Sequence, residues 1–161
     1  MSHSSFHVLV DANILALWIV GQVSEDQVTK CRRTRHYSVS DYRILVTYLR
    51  RYTDIVTTPN VGTETSNLLG ALSGQYLKKA RLILSNGIMV WNEIYVKSLE
   101  AVQDPSYFRL GLTDAAILLA ANSNIEVLTD DLDLYLALEH NKIPVKNFTH
   151  LRAFQANTFD V

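Results

Sequence analysis

The chain has 161 residues, of which 48% are hydrophobic and 19% charged, with a formal net charge of −1. This composition excludes a disordered chain and is typical of one compact domain, which we place at residues 1–161. The single cysteine, Cys31, excludes an internal disulfide and fits a reducing compartment. No apolar run reaches the ~20 residues of a membrane span, and the apolar segment 8–20 lacks the basic start of a signal peptide. We therefore expect a cytoplasmic protein without a membrane anchor.

Strand and helix patterns alternate along the chain. A β-branched apolar run at 8–10 predicts a strand buried on both faces, followed by an apolar helix that reaches residue 20. The other predicted strands are 54–58, 88–91, 125–129 and 143–146. The other predicted helices are 38–51, 59–72, 75–84, 94–102, 112–121 and one that begins at 130. Such alternation predicts an α/β fold with a mostly parallel sheet.

Local residue preferences predict several helix boundaries. Thr58 can cap a helix whose first residue is Pro59, where the missing N–H does no harm. Gly74 is predicted to end that helix, and Gly87 to end the next one. Thr113 is predicted to cap the helix at 112–121.

Residues 21–37 are polar and carry the densest group of positive charges in the chain. One interpretation is a solvated loop or a frayed helix, and the other is a surface that contacts a phosphate backbone. The sequence leaves both interpretations open. The four cations of this basic segment are Lys30, Arg32, Arg33 and Arg35.

Six acidic residues lie beside apolar neighbours, at predicted strand ends or within predicted helices. A helix cap would explain most of them, since carboxylates are favoured at helix N-termini. Glu64 is the exception, because it lies about a turn and a half inside a helix, on the apolar stripe. The six residues are Asp11, Glu64, Asp114, Asp130, Asp131 and Asp133.

A single site in which these carboxylates meet would explain all of their positions at once. In an open α/β sheet, ligands bind at the carboxyl ends of the strands. Carboxylates that meet in one cleft repel each other unless a cation holds them. Ligation by oxygen alone suits Mg²⁺ or Mn²⁺ better than zinc. The pattern therefore predicts a divalent metal site, with helix capping as the alternative.

The ordered set of acidic motifs resembles the PIN domain family. The motifs are Val-Leu-Val-Asp-Ala-Asn at 8–13, Thr-Pro-Asn-Val-Gly-Thr-Glu at 58–64, Leu-Thr-Asp-Ala at 112–115 and Val-Leu-Thr-Asp-Asp-Leu-Asp-Leu at 127–134. The resemblance extends from Phe6 to Phe148. It implies a three-layer α/β/α sandwich and a Mg²⁺- or Mn²⁺-dependent endoribonuclease, which in many members is the toxin of a toxin–antitoxin pair.

The resemblance also implies roles for individual residues. The fourth carboxylate of the family normally stands two residues after a threonine, which favours Asp131 over Asp130 and leaves Asp130 as the alternative. The implied catalytic and metal-binding residues are Asp11, Glu64, Asp114 and Asp131, with Asp133 as a further ligand. The residues expected to support them are Asn13, Thr113 and Thr129. The basic segment would then bind RNA.

Two other functions stay open at this point. One is a non-catalytic PIN-like domain that binds RNA or protein. The other is a phospho-acceptor signalling domain, which also gathers aspartates around Mg²⁺ at strand ends but gives Glu64 no role. The partners that the resemblance implies are RNA, with a cognate antitoxin and a second copy of the chain as open alternatives.

Overall fold

A five-stranded parallel sheet lies at the centre of the fold. The structure, a computed structural model, describes residues 7–156. The strands are β1 His7–Val10, β2 Asp54–Thr57, β3 Asn92–Glu93, β4 Ile125–Thr129 and β5 Val145–Asn147. Their order is β3-β2-β1-β4-β5, and every pairing is parallel. With its helices the chain forms a three-layer α/β/α sandwich, which confirms the predicted fold class.

Ten helices occur within the described residues, and none of these ten is long and apolar enough to cross a bilayer. They are α1 Ala12–Val23, α2 Glu25–Lys30, α3 Val39–Leu49, α4 Pro59–Leu69, α5 Gly74–Ile88, α6 Ser98–Gln103, α7 Tyr107–Leu110, α8 Leu112–Ala120, α9 Leu132–His140 and α10 Phe148–Ala156.

The deepest part of the core is the central strand β1 and the helix that follows it. Val8, Leu9 and Val10 have no exposed surface. In α1, apolar side chains are buried around most of the helix, from Ile14 to Val20. A strand buried on both faces is expected to be continuously apolar, as β1 is from Val8 to Val10. Any polar residue between β1 and α1 therefore lies at the edge of the core.

Two predictions that rested on short-range chemistry are confirmed. Strand β4 covers the residues predicted for it, 125–129. Pro59 is the first residue of α4, and the N–H of Val61 donates to the Thr58 hydroxyl at 3.2 Å. The cap and the proline both act within one turn, so the sequence alone determines where α4 begins.

The predictions for two glycines were wrong. Gly74 begins α5 with φ +54°, and α4 has already ended at Leu69. Gly87 lies inside α5 and does not end it. A Cβ at this position would overlap the Trp91 indole, so the glycine allows the ring to pack against the helix. Helix α5 consequently extends through residue 88, and the predicted strand at 88–91 is replaced by β3 at 92–93.

Two further boundaries also differ from prediction. The polar region 21–37, for which one interpretation was a solvated loop or a frayed helix, contains the last turn of α1, all of α2 and a turn after it. Thr113 is not a helix cap, because α8 begins one residue earlier. The cap of α8 is Gly111, whose φ of +86° few other residues adopt.

Gly21→Ala should destabilise the protein by about 1–3 kcal/mol, because extra atoms in a packed core displace their neighbours. Gly21 is buried within α1, where a Cβ would overlap the buried Tyr42 ring. Gly62→Ala is the matched control, since the nearest atom to its Cβ is Ile88 Cδ1 at 4.0 Å. That change within α4 should be neutral or stabilising. Urea unfolding measures both, and equal shifts would contradict the packing explanation.

Candidate functional site

The carboxyl ends of β1 and β4 lie side by side at the point where the strand order reverses. The chain continues from β1 to β2 on one side, while β4 pairs with β1 on the other. Asp11 follows β1, and its N–H donates to the Leu128 carbonyl of β4 at 2.9 Å. Such a reversal point is where open α/β sheets bind ligands.

Asp11 is a buried carboxylate that caps α1. Its Oδ1 accepts a hydrogen bond from the Ala12 N–H at 2.6 Å, and its Oδ2 accepts one from the Thr129 hydroxyl at 2.7 Å. Burial is the largest cause that raises the pKa of Asp11 to about 6, and the charges of Asp130 and Glu64 also raise it. The two hydrogen bonds lower the pKa, but by less. Asp11 is therefore both the cap of α1 and a member of an acidic group whose surroundings disfavour its charged form.

Thr129 connects two of the acidic residues. Its hydroxyl donates to Asp11 and accepts a hydrogen bond from the Asp131 N–H at 3.0 Å. Asp131 in turn caps α9, where its Oδ1 accepts from the Leu134 N–H at 3.0 Å. One buried threonine thus fixes the spacing between the end of β4 and the end of β1.

Asp114 has the most strongly raised pKa among these carboxylates. It lies partly buried in the first turn of α8. The pKa of Asp114 is raised to about 8. Burial is the largest cause, and the negative charges of Asp11, Asp131 and Glu64 add to it. Four elements thus bring four predicted site residues within range of one another's charge. Within residues 7–156, the charges that shift the pKa of Asp114 are all negative.

The chemistry of this donor set fits a hard divalent cation. Its oxygens are anionic, two of the carboxyls have raised pKa values, and their charged neighbours are also acidic. Hard cations such as Mg²⁺ and Mn²⁺ prefer such ligands. Within residues 7–156, however, no three His, Cys, Asp or Glu side chains are arranged so that they could hold an ion as they stand. The structure therefore brings the carboxylates near one another without forming a closed coordination sphere.

Asp130 and Asp131 both lie near the site but have different neighbours. Asp130 Oδ2 accepts a hydrogen bond from the hydroxyl of the buried Tyr37, and its charge acts on Asp11. The Asp131 charge acts on Asp114 instead. The tyrosine contact joins residues 93 positions apart. No local sequence signal could have revealed it.

The structure does not bring Asp133 together with the other carboxylates. Asp133 is exposed, and its Oδ1 lies 3.5 Å from Nη1 of Arg109. It lies two positions after Asp131, a rotation of about 200° on a helix, which directs it to the opposite side. Asn13 is also exposed, and in the described part of the chain no hydrogen bond joins it to a carboxylate. Thr113 lines a cleft beside Glu64.

The four cations of the basic segment lie at the end of α2 and in the turn that follows it. Cys31, Thr34 and Tyr37 are buried at intervals of three, and the Thr34 hydroxyl donates to the Val28 carbonyl at 2.8 Å. These anchors leave Arg32, Arg33 and Arg35 between them exposed, and Lys30, the last residue of α2, is exposed as well. Over residues 7–156, none of the four forms an ion pair. The four are Lys30, Arg32, Arg33 and Arg35.

The raised pKa values predict how stability depends on pH without divalent cations. Folded Asp11 and Asp114 hold protons that the unfolded chain releases near pH 3.8, so stability should fall as pH rises from about 4 to 8. The pKa values of Asp41 and Glu25 are lowered, so these two residues change the stability only below about pH 3.8 and pH 4.5, outside most of this range. Urea unfolding in chelator should show the decline, and Asp114→Asn should flatten it above pH 6. A wild-type stability that rises with pH would contradict the assigned repulsion.

Comparison with models of known protein families and with characterised proteins finds no match to this chain.

Proposed function

We propose that the chain is a PIN-like endoribonuclease that depends on Mg²⁺ or Mn²⁺. The observation that supports this proposal is the group of acidic residues beside the carboxyl ends of β1 and β4, where burial, and after it the neighbouring negative charges, raise the pKa of Asp11 to about 6 and the pKa of Asp114 to about 8. Buried like charges reduce stability, and strongly perturbed pKa values cluster at functional sites. A bound divalent cation would offset this repulsion.

The proposed chemistry is hydrolysis of a phosphodiester bond. A divalent metal ion, when bound, lowers the pKa of a coordinated water and stabilises charge on the phosphoryl oxygens. Asp11, Glu64, Asp114 and Asp131 would hold it. Thr129 keeps Asp11 in one orientation, as residues behind metal ligands do. Glu64 would orient the attacking water. Attack by water, rather than by the ribose 2′-hydroxyl, would leave a 5′-phosphate and a 3′-hydroxyl.

Cleavage of single-stranded RNA by the purified protein tests this proposal. Cleavage should require Mg²⁺ or Mn²⁺, stop with chelator, and fall at least about a hundredfold in Asp114→Asn, since loss of residues behind a ligand already costs about 10–100-fold. Asp26→Asn is the matched control, because Asp26 is an exposed carboxylate in the first turn of α2. Equal cleavage by wild type and Asp114→Asn would overturn the proposal.

A non-catalytic PIN-like domain is the second candidate function. It is favoured by the lack, among residues 7–156, of three side chains arranged to hold an ion. RNA binding without divalent-dependent cleavage would support it over the nuclease. The antitoxin partner, the second copy of the chain and the cytoplasmic location stay predictions from the sequence.

The basic segment is proposed to contact RNA phosphates outside the acidic site. Changing Arg32, Arg33 and Arg35 to Ala should weaken binding and reduce its salt slope by about two, if each arginine meets one phosphate of single-stranded RNA. Turnover at saturating RNA should change little, because such contacts are the same in ground and transition states.

A matched control removes the same charge elsewhere. Lys78, Lys79 and Arg81 are exposed on α5, and changing all three to Ala also subtracts three positive charges. Binding measured at several salt concentrations compares the two variants. An equal slope change in both would mean that net charge, and not the basic segment, governs RNA binding.

A further inference from the structure

A cleft of about 420 Å³ opens directly beside the acidic site. Glu64 and Thr113 line it, together with the apolar side chains of Pro59 and Leu112. Its volume falls within the roughly 300–1,000 Å³ typical of small-ligand sites. Of the described residues that line it, Glu64 alone is charged. A phosphate would therefore meet no cation here, whereas an uncharged group would meet no unfavourable charge except at the Glu64 end.

Two side-chain amides lie in the cleft on the same helix as Glu64. Asn60 precedes Glu64 by four residues and Asn67 follows it by three, so all three share one face of α4. In the described part of the chain, neither amide side chain makes a hydrogen bond. An amide offers both donors and an acceptor, which match the edge of a nucleobase.

An exposed aromatic ring forms another wall of the cleft. Tyr95 lines it and is 73% exposed. The residues on either side are held in place, because the Ile94 N–H donates to the Thr57 carbonyl at 2.9 Å and Val96 is buried. The backbone that carries Tyr95 is therefore fixed at the carboxyl end of the sheet while the ring stays open to solvent. Exposed aromatic rings in such positions stack on bases of single strands.

We propose that this cleft receives one unpaired nucleobase of the RNA, stacked on Tyr95 with its edge hydrogen-bonded by Asn60 or Asn67. The neighbouring phosphate would then lie at the Glu64 end of the cleft, beside the other carboxylates. A paired base stays stacked inside its helix and does not enter, so the substrate class is single-stranded RNA. This inference rests on the proposed ribonuclease function and adds a base-binding site to it.

The first measurement separates a role in substrate binding from a structural role. Tyr95→Ala should raise KM for single-stranded RNA roughly 5- to 150-fold, the range for loss of one stacked base, with little change in kcat. Tyr95→Phe keeps the ring and should restore KM to near the wild-type value. Tyr76→Ala is the matched control, because Tyr76 is an exposed tyrosine on α5 that does not line this cleft. An unchanged KM in Tyr95→Ala, with cleavage intact, would overturn the base site and leave the nuclease proposal standing.

The second measurement detects stacking directly. The fluorescent base 2-aminopurine is placed at successive positions of a single-stranded RNA and bound in Ca²⁺, which is used to limit cleavage. At one position, wild type and Tyr95→Phe should quench it, and Tyr95→Ala should not. Absence of quenching at every position, or an equal KM for the same sequence as a duplex, would overturn the base site. Absence of cleavage and binding for all RNAs would overturn the nuclease proposal and this inference together.

Discussion

Asp131→Asn should reduce divalent-dependent RNA cleavage at least about a hundredfold, whereas Asp130→Asn should keep most of the activity. The difference follows from the neighbours of the two carboxylates. The charge of Asp131 acts on Asp114, whereas the charge of Asp130 acts on Asp11 and the Asp130 carboxylate is held by a hydrogen bond from the Tyr37 hydroxyl. Loss of residues that merely support a metal ligand already costs about 10–100-fold, so loss of a ligand should cost at least as much.

The substitution at Asp131 can be interpreted without concern for the fold. Asp131 caps α9 through its hydrogen bond from the Leu134 N–H, and asparagine caps helices about as well as aspartate. Melting temperatures measured in chelator should therefore not fall for Asp131→Asn. Initial cleavage rates with Mn²⁺ give the comparison. Loss of activity in Asp130→Asn but not in Asp131→Asn would show that the fourth carboxylate is Asp130.

The sequence predicted those parts of the fold that depend on neighbouring residues. The buried strand β1, the strand β4 and the start of α4 at Pro59 follow from apolar runs and capping within a few residues. Gly87 misled the prediction of where α5 ends because a glycine normally weakens a helix. In this protein Gly87 makes room for the Trp91 ring, and the packing of such a ring cannot be inferred from the local sequence.

The candidate site shows the same division between local and long-range information. Asp11 and Asp114 could be selected from their positions at a strand end and a helix start. The rotation of α9 that exposes Asp133 depends on where the helix begins, which the sequence predicted only approximately. The bond from Tyr37 to Asp130 and the position of Tyr95 beside Glu64 depend on tertiary packing, so no spacing pattern could predict them.

The second large effect is stabilisation of the folded protein by divalent cations. A ligand that binds only the folded state stabilises it by about 2.7 kcal/mol at one hundred times its Kd. For a chain of this length, that corresponds to a rise in Tm of roughly 5–11 °C. The rise should be larger at pH 8 than at pH 5, because protons compete with the cation for Asp11 and Asp114, whose pKa values are raised.

Removing one of the repelling charges should have two opposite consequences. Asp114→Asn should raise the Tm of the metal-free protein at pH 8, since residue 114 is then no longer repelled by Asp11, Asp131 and Glu64. The same change should remove most of the stabilisation by Mg²⁺ or Mn²⁺. Asp26→Asn, which alters an exposed carboxylate of α2, should match wild type in both respects.

The most direct test of a divalent metal site at these carboxylates is the change in Tm between chelator and saturating Mn²⁺ at pH 8, measured for wild type, Asp114→Asn and Asp26→Asn. The proposed site predicts a rise of several degrees in wild type and Asp26→Asn, and little or none in Asp114→Asn. An equal rise in all three proteins, or none in wild type, would contradict it.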